Sequence, residues 1–245
     1  MGSGTLIALA CLALGWHLRA GAAESLIANG TGKTIISRAN HDMRFQTSYM
    51  IISTQGTVIV ADPYQVAEGI QADVITSSHK DFDHNDASFY ERSQARKSLH
   101  AVETFTVKDV TVTGIASTHS AGEIDPLKPT NVIYVYEVDG LRIAHMGDIC
   151  QPRLTDVQLK ALGKIDIVFL MMEHQPTYGF SKENTLAILD QLKPALALPT
   201  HPDWTTLEAV KRVVTQTREE TFRLVTSRED LDATKTTLVV LRDGP

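Results

Sequence analysis

The stretch from Val74 to Asp86 concentrates side chains that could bind metal ions. It opens with the β-branched run 74–76, which predicts a buried strand. Four potential ligands follow within six positions of the chain: His79, Asp81, Asp83 and His84. Imidazole and carboxylate groups bind zinc and related ions, and alternating positions in a tight loop can direct two side chains at one ion and two at another. The alternative is a solvated, aspartate-rich turn with incidental histidines.

Three later residues favour the metal site, because each follows an apolar run that predicts a strand. They are His119 after the run 110–116, Asp148 after the run 141–146, and His201 after the run 195–198. In a layered α/β fold such strand ends can converge on one edge, where ligand sites form. Four histidines and three aspartates would then meet, and seven ligands suffice for two ions.

Two divalent cations among these ligands would make hydrolysis the implied reaction. The cations contribute four positive charges and the three carboxylates three negative charges, so a bridging hydroxide brings the cluster to neutrality. Coordination lowers the pKa of water to about 7, which makes a hydroxide nucleophile available at neutral pH. One ion can also polarise a carbonyl or phosphoryl oxygen of the substrate.

Further residues could assist such a centre. Asp62 ends the strand-like run 58–60 and could orient a ligand histidine from behind, although a simple Asp-Pro turn explains it equally well. His174 follows the apolar strand 165–172 and could donate a proton to the leaving group or bind substrate. Tyr178 is a weaker candidate for the same roles.

Other residues near these motifs are expected to lack a direct role. Cys150 is expected to be a small buried thiol. Lys80 is expected to be a solvated loop residue that could meet an anionic substrate. His41 and His100 lack a supporting pattern, and His145 alternates away from the metal-binding face of its strand, so all three are expected to be structural or exposed.

Strand hairpins and strand-helix-strand units alternate along the chain, which predicts a mixed α/β class with helices covering sheets. Strands are predicted at 33–37, 45–53, 57–61, 74–76, 103–107, 110–116, 131–138, 141–146, 165–172, 195–198 and 238–241. Helices are predicted at 85–96, 153–162, 182–192 and 205–215. The polar segment 120–130 contains one glycine and two prolines, and we expect it to form a loop at the rim of the site.

Length and composition favour one large domain over two small ones, because the 245-residue chain is 43% hydrophobic. Its net charge of −6 and its lack of a basic cluster argue against nucleic-acid binding. Cys11 and Cys150 are the only cysteines in the sequence, so no disulfide framework is available.

The amino-terminal residues have the pattern of a secretory signal peptide. The apolar run 5–15 is too short to span a bilayer, and a group of small residues ends at Ala23. We therefore expect a signal peptide over 1–23 and a single domain over 24–245. The protein would be exported to the periplasm or secreted, without stable membrane insertion after cleavage. His17 and Arg19 depart from the pattern, and the alternatives are a disordered or membrane-tethered tail or a misassigned start.

The order of the motifs resembles the metallo-β-lactamase-fold hydrolases. It consists of His-x-Asp-x-Asp-His at 79–84, the strand-end His119, Gly147-Asp148 and Pro199-Thr200-His201. The resemblance extends from about residue 34 to about residue 241. It is greatest to the branch of ascorbate-phosphate lactonase and N-acyl-phosphatidylethanolamine hydrolase-like proteins. It implies an α/β fold in four layers, an αββα sandwich of two mixed β-sheets with a dinuclear site in the cleft between them.

The resemblance also implies which residues hold each ion. It assigns His79, Asp81 and His119 to the first ion and Asp83, His84 and His201 to the second, with Asp148 as the bridge and Asp83 orienting the hydroxide. The family usually has a histidine where Asp81 stands. The added carboxylate lowers the Lewis acidity of the cluster and favours harder ions such as manganese or iron. We expect two divalent metal ions, with zinc as the leading candidate and manganese or iron as the alternatives.

The leading hypothesis is a metal-dependent hydrolase that attacks an ester, lactone, amide or phosphodiester in a small molecule. A metal-bound hydroxide would be the nucleophile, with Asp83 and His174 as catalytic residues. One alternative is a metal-binding protein without hydrolase activity, in which Asp81 has weakened the first site. Another is an iron-dependent oxidoreductase on the same fold, although no flavin-binding segment is visible. Fold and metals alone do not specify β-lactam cleavage, and the sequence leaves the substrate and the oligomeric state open.

Overall fold

The computed structural model describes residues 29–40, 48–120, 122–173, 175–176, 179–220 and 222–242. Within these residues the chain forms fourteen strands, numbered here in chain order. They are β1 (Thr34–Arg38), β2 (Tyr49–Ile52), β3 (Val58–Ala61), β4 (Val74–Ser77), β5 (Arg96–Leu99), β6 (Thr104–Val107), β7 (Val110–Ser117), β8 (Asn131–Val138), β9 (Leu141–His145), β10 (Ile167–Met171), β11 (Leu196–Thr200), β12 (Gln216–Glu220), β13 (Arg223–Thr226) and β14 (Thr237–Leu241).

Four α-helices lie between strands in the described part of the chain. They are α1 (Ala87–Glu91), α2 (Asp156–Leu162), α3 (Lys182–Leu192) and α4 (Trp204–Lys211), and a short 3-10 helix covers Arg228–Asp230. Each α-helix begins after a side chain that accepts a backbone N–H of the first turn: Asp86, Thr155, Ser181 and Asp203. These caps satisfy N–H groups that have no partner within the helix, which explains where each helix starts.

The strands form two mixed sheets. The first sheet has the order β13-β1-β2-β3-β4-β5, and the second has the order β12-β14-β11-β10-β9-β8-β7-β6. In the first sheet β3, β4 and β5 are parallel neighbours, whereas β1, β2, β3 and β13 pair in antiparallel fashion. In the second sheet β9, β10, β11, β14 and β12 are parallel, and β6 to β9 form an antiparallel meander.

The main core lies between the two sheets. Tyr49 of β2 stacks on Phe169 of β10, with ring centroids 4.1 Å apart, and both side chains are fully buried. The Tyr49 hydroxyl donates to the carbonyl of Pro199 over 2.7 Å, and the Tyr136 hydroxyl shares a 2.6 Å hydrogen bond with Thr76. These contacts join β2 to β11 and β8 to β4, so they fix the separation of the sheets close to the strand ends that carry the predicted ligands.

The outer faces of both sheets are also covered. On the second sheet, apolar residues of α2, α3 and α4, including Leu162, Ile188 and Val210, pack on the strands. On the first sheet, Phe89 of α1 and residues of the connection 63–73 cover the strands. The predicted four-layer arrangement of helices around two mixed sheets is confirmed. In the described part of the chain, no helix has the length and apolar character that crossing a bilayer requires.

Two predicted helices end too late, and three strands have no predicted counterpart. The predicted helix 85–96 is too long, because α1 ends at Glu91 and 96–99 pairs with β4 as the edge strand β5. The predicted helix 205–215 is likewise too long, since α4 ends at Lys211 and β12 begins only at Gln216. The sequence does not predict β13. All three missed strands lie at sheet edges, where charged residues are common and the hydrophobic pattern of a strand is weak.

Candidate metal centre

The predicted ligands lie at one edge of the sandwich, after the carboxyl ends of four strands. β4 leads into the loop 78–84, β7 to His119, β9 to Asp148 and β11 to His201. β9, β10 and β11 are parallel neighbours, so their carboxyl ends meet at the same edge. The loop after β4 belongs to the first sheet and the other three ligands follow strands of the second. The site therefore joins the two sheets.

His79, Asp81 and His119 form a first group of potential ligands, with one donor atom of each within 4.8 Å of the others. Oδ2 of Asp81 lies 3.6 Å from Nε2 of His79 and 3.5 Å from Nε2 of His119. His79 is buried, whereas the side chain of Asp81 is 59% exposed. The first group therefore opens toward solvent through its carboxylate.

Asp83, His84 and His201 form a second group under the same 4.8 Å limit. The Nε2 atoms of His84 and His201 lie 3.0 Å apart. Oδ2 of Asp83 lies 3.9 Å from Nε2 of His84 and 3.6 Å from Nε2 of His201. All three residues are buried, so the second group is more enclosed than the first.

Asp148 lies between the two groups. Its Oδ2 atom is 3.8 Å from Nε2 of both His79 and His119. Its carboxylate is also 3.2 Å from Nε2 of His84 and 3.3 Å from Nε2 of His201. A single carboxylate thus approaches all four histidines, which is the arrangement that a ligand shared by two ions requires.

The spacing and chemistry of these atoms fit bound divalent cations. Ligands about 2.0 Å from a tetrahedral ion lie about 3.3 Å from one another, and the distances given above run from 3.0 Å to 3.9 Å. Nε2 of His79 and Oδ1 of Asp148 are buried without a hydrogen-bond partner. Buried polar atoms are rarely left in that state unless an ion or a water satisfies them. Imidazole and carboxylate are also the donors that such ions select.

Asp62 lies behind the candidate ligands and is linked to two of them, directly to His84 and through Ser78 to His79. Nδ1 of His84 donates to Oδ2 of Asp62 over 2.7 Å. The Ser78 hydroxyl donates to the same oxygen over 2.5 Å and lies 2.9 Å from Nδ1 of His79, so it accepts the proton of that ring. With Nδ1 of each ring occupied, the Nε2 atoms of both histidines face the centre. Asp62 is therefore more than the residue of a simple turn.

The ionisation of His79 and Asp62 suits these roles. Burial lowers the pKa of His79 to about 3, and the nearby His84 ring acts in the same direction. His79 is therefore neutral near pH 7, which is the form of imidazole that binds metals. Burial acts to raise the pKa of Asp62, but His145 and His84 outweigh it and lower that pKa to about 2. Asp62 consequently stays ionised and accepts hydrogen bonds only.

Asp148 and the other histidines are electrostatically coupled. Burial acts to raise the pKa of Asp148, but His84 and His201 hold it well below its usual range. Burial likewise acts to lower the pKa values of His84 and His201, and the Asp148 carboxylate outweighs it and raises both. The nearby Asp148 carboxylate also raises the pKa of His119. Bound cations would therefore replace protons on these three rings.

The backbone is in the left-handed region at three points of the site. Gly147 has φ 56°, and a Cβ atom there would lie 2.3 Å from Oδ1 of Asn131 and 2.6 Å from Cβ of Ser78, so only glycine fits. Asp62 and His201 have φ 47° and 44°. Such conformations are unfavourable for residues other than glycine and concentrate at functional sites.

A cleft of about 640 Å³ opens over the centre. Besides ligands of both groups, Lys80, Phe82, Glu173, Gln175 and Phe180 line it. The Phe82 ring is exposed and meets Tyr64 edge to face, with centroids 5.7 Å apart. The volume lies in the range of small-molecule sites, about 300–1,000 Å³.

Other predicted residues fall into two sets. Cys150 is buried beside Met171 and Phe180, as predicted. His145 is structural: it is buried, and its Nδ1 accepts the N–H of Gly147 over 3.1 Å. His100 is partly buried and hydrogen-bonds to Ser77 over 3.0 Å. His174, Tyr178, His41 and the predicted signal peptide 1–23 lie outside the described residues.

The contacts of three further residues at the site are not predicted by the sequence. Ser78 connects His79 to Asp62, and its position directly before a predicted ligand is the only signal that could have identified it. The Phe180 ring meets the His119 ring edge to face, with centroids 5.4 Å apart, and no local sequence pattern indicates this contact. Asn131 bonds across several loops, which a single sequence cannot reveal.

Comparison with known proteins supports this description. Residues 45–201, more than half of the chain, match the model of a family described as the β-lactamase superfamily domain. No curated protein matches the chain in sequence.

Several solved structures resemble the fold. One from Thermotoga maritima, described as a Zn-dependent hydrolase of the metallo-β-lactamase superfamily, has 18% identity and a TM-score of 0.64 over 85% of this chain and 100% of its own. Igni18, a metallo hydrolase from Ignicoccus hospitalis, has 15% identity and a TM-score of 0.58 over 87% and 97%. The metallo-β-lactamase fold protein YhfI from Bacillus subtilis has 10% identity and a TM-score of 0.57 over 87% and 98%. At these levels of sequence identity, the comparison shows a similar fold only.

Proposed function

The chain belongs to the β-lactamase superfamily, and from this premise we propose that it is a metal-dependent hydrolase of small molecules. The observation that carries the proposal is the position of Asp148 between two groups of ligands, within 3.8 Å of all four histidines. The metal-dependent hydrolases among the structural neighbours support the same activity.

The proposed ligand assignment follows the two groups. His79, Asp81 and His119 would hold one divalent ion, Asp83, His84 and His201 would hold the other, and Asp148 would be shared. Two bound ions would supply a hydroxide nucleophile at neutral pH and would polarise the scissile carbonyl or phosphoryl group. Asp62 would keep the rings of His79 and His84 in the orientation that binding requires.

Asp83 and His174 are the proposed catalytic residues. Asp83 lines the cleft, and Oδ2 lies 3.6 Å from His201, so its carboxylate can orient the attacking water and take up its proton. His174 follows Glu173, another residue of the cleft wall, and we propose it as the proton donor to the leaving group. Proton delivery to the leaving group would complete the cleavage of an ester, lactone, amide or phosphodiester.

The proposed cofactor is a pair of divalent ions. Each group contributes two histidines and one aspartate and shares Asp148, so both positions offer two nitrogen and two carboxylate ligands. Zinc accepts this set, and the carboxylate of Asp81 also makes manganese or iron acceptable. The proposed substrate is a small molecule, because the cleft of about 640 Å³ suits a ligand of that size.

Metal analysis combined with turnover tests the proposal. The purified chain is dialysed against zinc or manganese, its ions are counted by mass spectrometry, and it is assayed with p-nitrophenyl butyrate, a lactone, an anilide and bis(p-nitrophenyl) phosphate. We expect two ions per chain and turnover of at least one substrate. Asp148→Asn should lose both properties, and Asp139→Asn, at the other end of the sandwich, should retain them.

Two outcomes would contradict the hydrolase. A chain that binds one or two ions and cleaves nothing in the panel would instead be a metal-binding protein, an alternative that the exposed carboxylate of Asp81 favours. A chain that binds no ion would contradict both the hydrolase and the metal-binding protein.

We also propose that the protein is exported, on the pattern of residues 1–23. Amino-terminal sequencing of the protein from a bacterial periplasmic fraction should give a start near Glu24. An intact amino terminus in the cytosolic fraction would contradict export.

A further inference from the structure

Asn131, the first residue of β8, contacts two of the segments that carry ligands. Its side chain is fully buried. Nδ2 donates to Oγ of Ser117 over 2.6 Å and to the carbonyl of Met146 over 2.9 Å. Oδ1 accepts the backbone N–H of Asp148 over 3.1 Å. The side-chain amide thus joins the end of β7 to the turn that presents Asp148.

The neighbours of Asn131 extend this connection. Oγ1 of Thr130 accepts the backbone N–H of His119 over 3.0 Å. The backbone N–H of Val132 donates to the carbonyl of Ser78, directly before His79, over 2.9 Å. The start of β8 therefore holds three of the four ligand-bearing segments together.

Gly147 allows Asn131 to come this close. A Cβ atom at Gly147 would lie 2.3 Å from Oδ1 of Asn131, nearer than any real contact of that kind. The amide therefore packs directly on the backbone of the turn that carries Asp148. The amide group of Asn131 is hydrogen-bonded through both its donor nitrogen and its acceptor oxygen. These bonds restrain the backbone of the turn between Met146 and Asp148.

We propose that Asn131 is a positioning residue that fixes Asp148 between the two ligand groups, so that both metal ions depend on it. This inference rests on the proposed function, because it assumes that Asp148 is shared by two ions. A residue that merely supports one group would affect one ion. Asn131 contacts none of the donor atoms and acts through the backbone of the shared ligand.

Metal titration of Asn131 variants tests this proposal. Asn131→Ala removes all three contacts, and Asn131→Asp keeps the acceptor for Asp148 but loses the donors to Ser117 and Met146. We expect both variants to bind both ions about 10–100-fold more weakly, the usual effect of losing a group that orients a ligand. Should the alanine variant fail to fold, the aspartate variant, equal in size, still gives the measurement.

A second readout separates positioning from general stability. A metal-binding chain gains thermal stability that increases with the logarithm of its affinity for the ions. The difference in Tm between chains in zinc and in a chelator should therefore shrink in the Asn131 variants. The matched control is Asn29→Ala, which removes an amide bonded to the carbonyls of Lys33 and Ser53 at the opposite end of the first sheet. This control should lower both Tm values equally.

The outcomes distinguish the two proposals. If the unmodified chain binds no ions, the proposed function fails before any variant is made. If it binds two ions and the Asn131 variants bind both with unchanged affinity, only the positioning role is overturned. Loss of a single ion in the variants would also overturn it, because Asp148 would then not transmit the effect to both groups.

Discussion

The carboxylate of Asp62 and the imidazole of His84 meet at 2.7 Å in the fully buried interior behind the cleft. Because the carboxylate is ionised and can only accept, it determines that Nδ1 of His84 carries the proton. Nε2 of the same ring is then left to face His201 and Asp148. A residue outside the proposed metal centre, Asp62, thus determines which ring nitrogen of His84 faces that centre.

Replacement of Asp62 by asparagine should weaken metal binding without removing a ligand. The amide keeps the size of the side chain, but one of the two acceptor oxygens becomes an NH2 donor. That donor must face either the backbone N–H of Ser78 or the donors of His84 and the Ser78 hydroxyl. We expect a loss of about 10–100-fold in metal affinity, measured by calorimetry. Asp139→Asn, which alters a carboxylate bonded to Thr34 and Thr54 far from the centre, is the control. Equal affinities for the two variants would contradict the role of Asp62.

Replacement of Asp81 by histidine should change the preference for metals. It substitutes a nitrogen for a carboxylate oxygen in the first group, which favours zinc over manganese. Competition dialysis against equal zinc and manganese should give a higher zinc-to-manganese ratio than in the unmodified chain. Asp125→His, on the exposed loop 122–130, should leave the ratio unchanged. If Asp81→His also leaves it unchanged, Asp81 is not a ligand.

Metal affinity should rise with pH. The pKa values of His84, His119 and His201 are raised above the ordinary 6.5, so these rings hold protons near neutrality when no cation is bound. Cations must displace those protons, so apparent affinity should increase by about tenfold per pH unit for each proton released. Calorimetry in two buffers of different ionisation enthalpy counts the protons. An affinity independent of pH between about 6 and 8 would contradict this coupling.

Lys80 should favour substrates that carry a negative charge. Within the described residues it is the only lysine or arginine that lines the cleft, and its side chain is exposed. If the chain hydrolyses esters, Lys80→Met should raise KM for mono-p-nitrophenyl succinate about three- to fivefold, as expected for an ion pair in solvent. KM for the neutral p-nitrophenyl butyrate should not change, and Lys80→Arg should behave as the unmodified chain does. Equal effects on both esters would exclude charge recognition.

Alanine at Gly147 should destabilise the fold more than alanine at Gly140. Both glycines have positive φ, 56° and 74°, so both variants incur a backbone cost of about 1 kcal/mol. Only Gly147 is crowded, and overpacking there should cost about 1–3 kcal/mol more. Urea denaturation measures the difference. Equal midpoints for the two variants would show that Asn131 and Ser78 can move aside.

The sequence predicts the fold best where strands are buried. The apolar run before His174 and the capped helix after Ser181 have strong local patterns, and both elements form at or near the predicted positions. β12, with the sequence QTREE, has no apolar residue and exists only because it pairs with β14. A pairing partner that lies far along the chain leaves no trace in the local pattern.

The same distinction applies to the candidate site. The ligands could be predicted because each one follows a strand, and parallel strands bring their ends together. Asn131 could not, because its contacts depend on how closely the loops pack rather than on its own neighbours in sequence. Asp62 stands between these cases, since its place after β3 allowed either a turn residue or a partner for histidine, and only coordinates distinguish the two.

The position of His201 after β11 also matters while the polypeptide is being made. A ribosome completes the loop after β4 early, but β11 must still be synthesised and paired with β10 before His201 can meet His84. A nascent chain therefore has an incomplete set of candidate ligands until His201 has been added. Any hydrolytic activity would require β11 to join the second sheet. Chains that end before His201 would therefore be inactive.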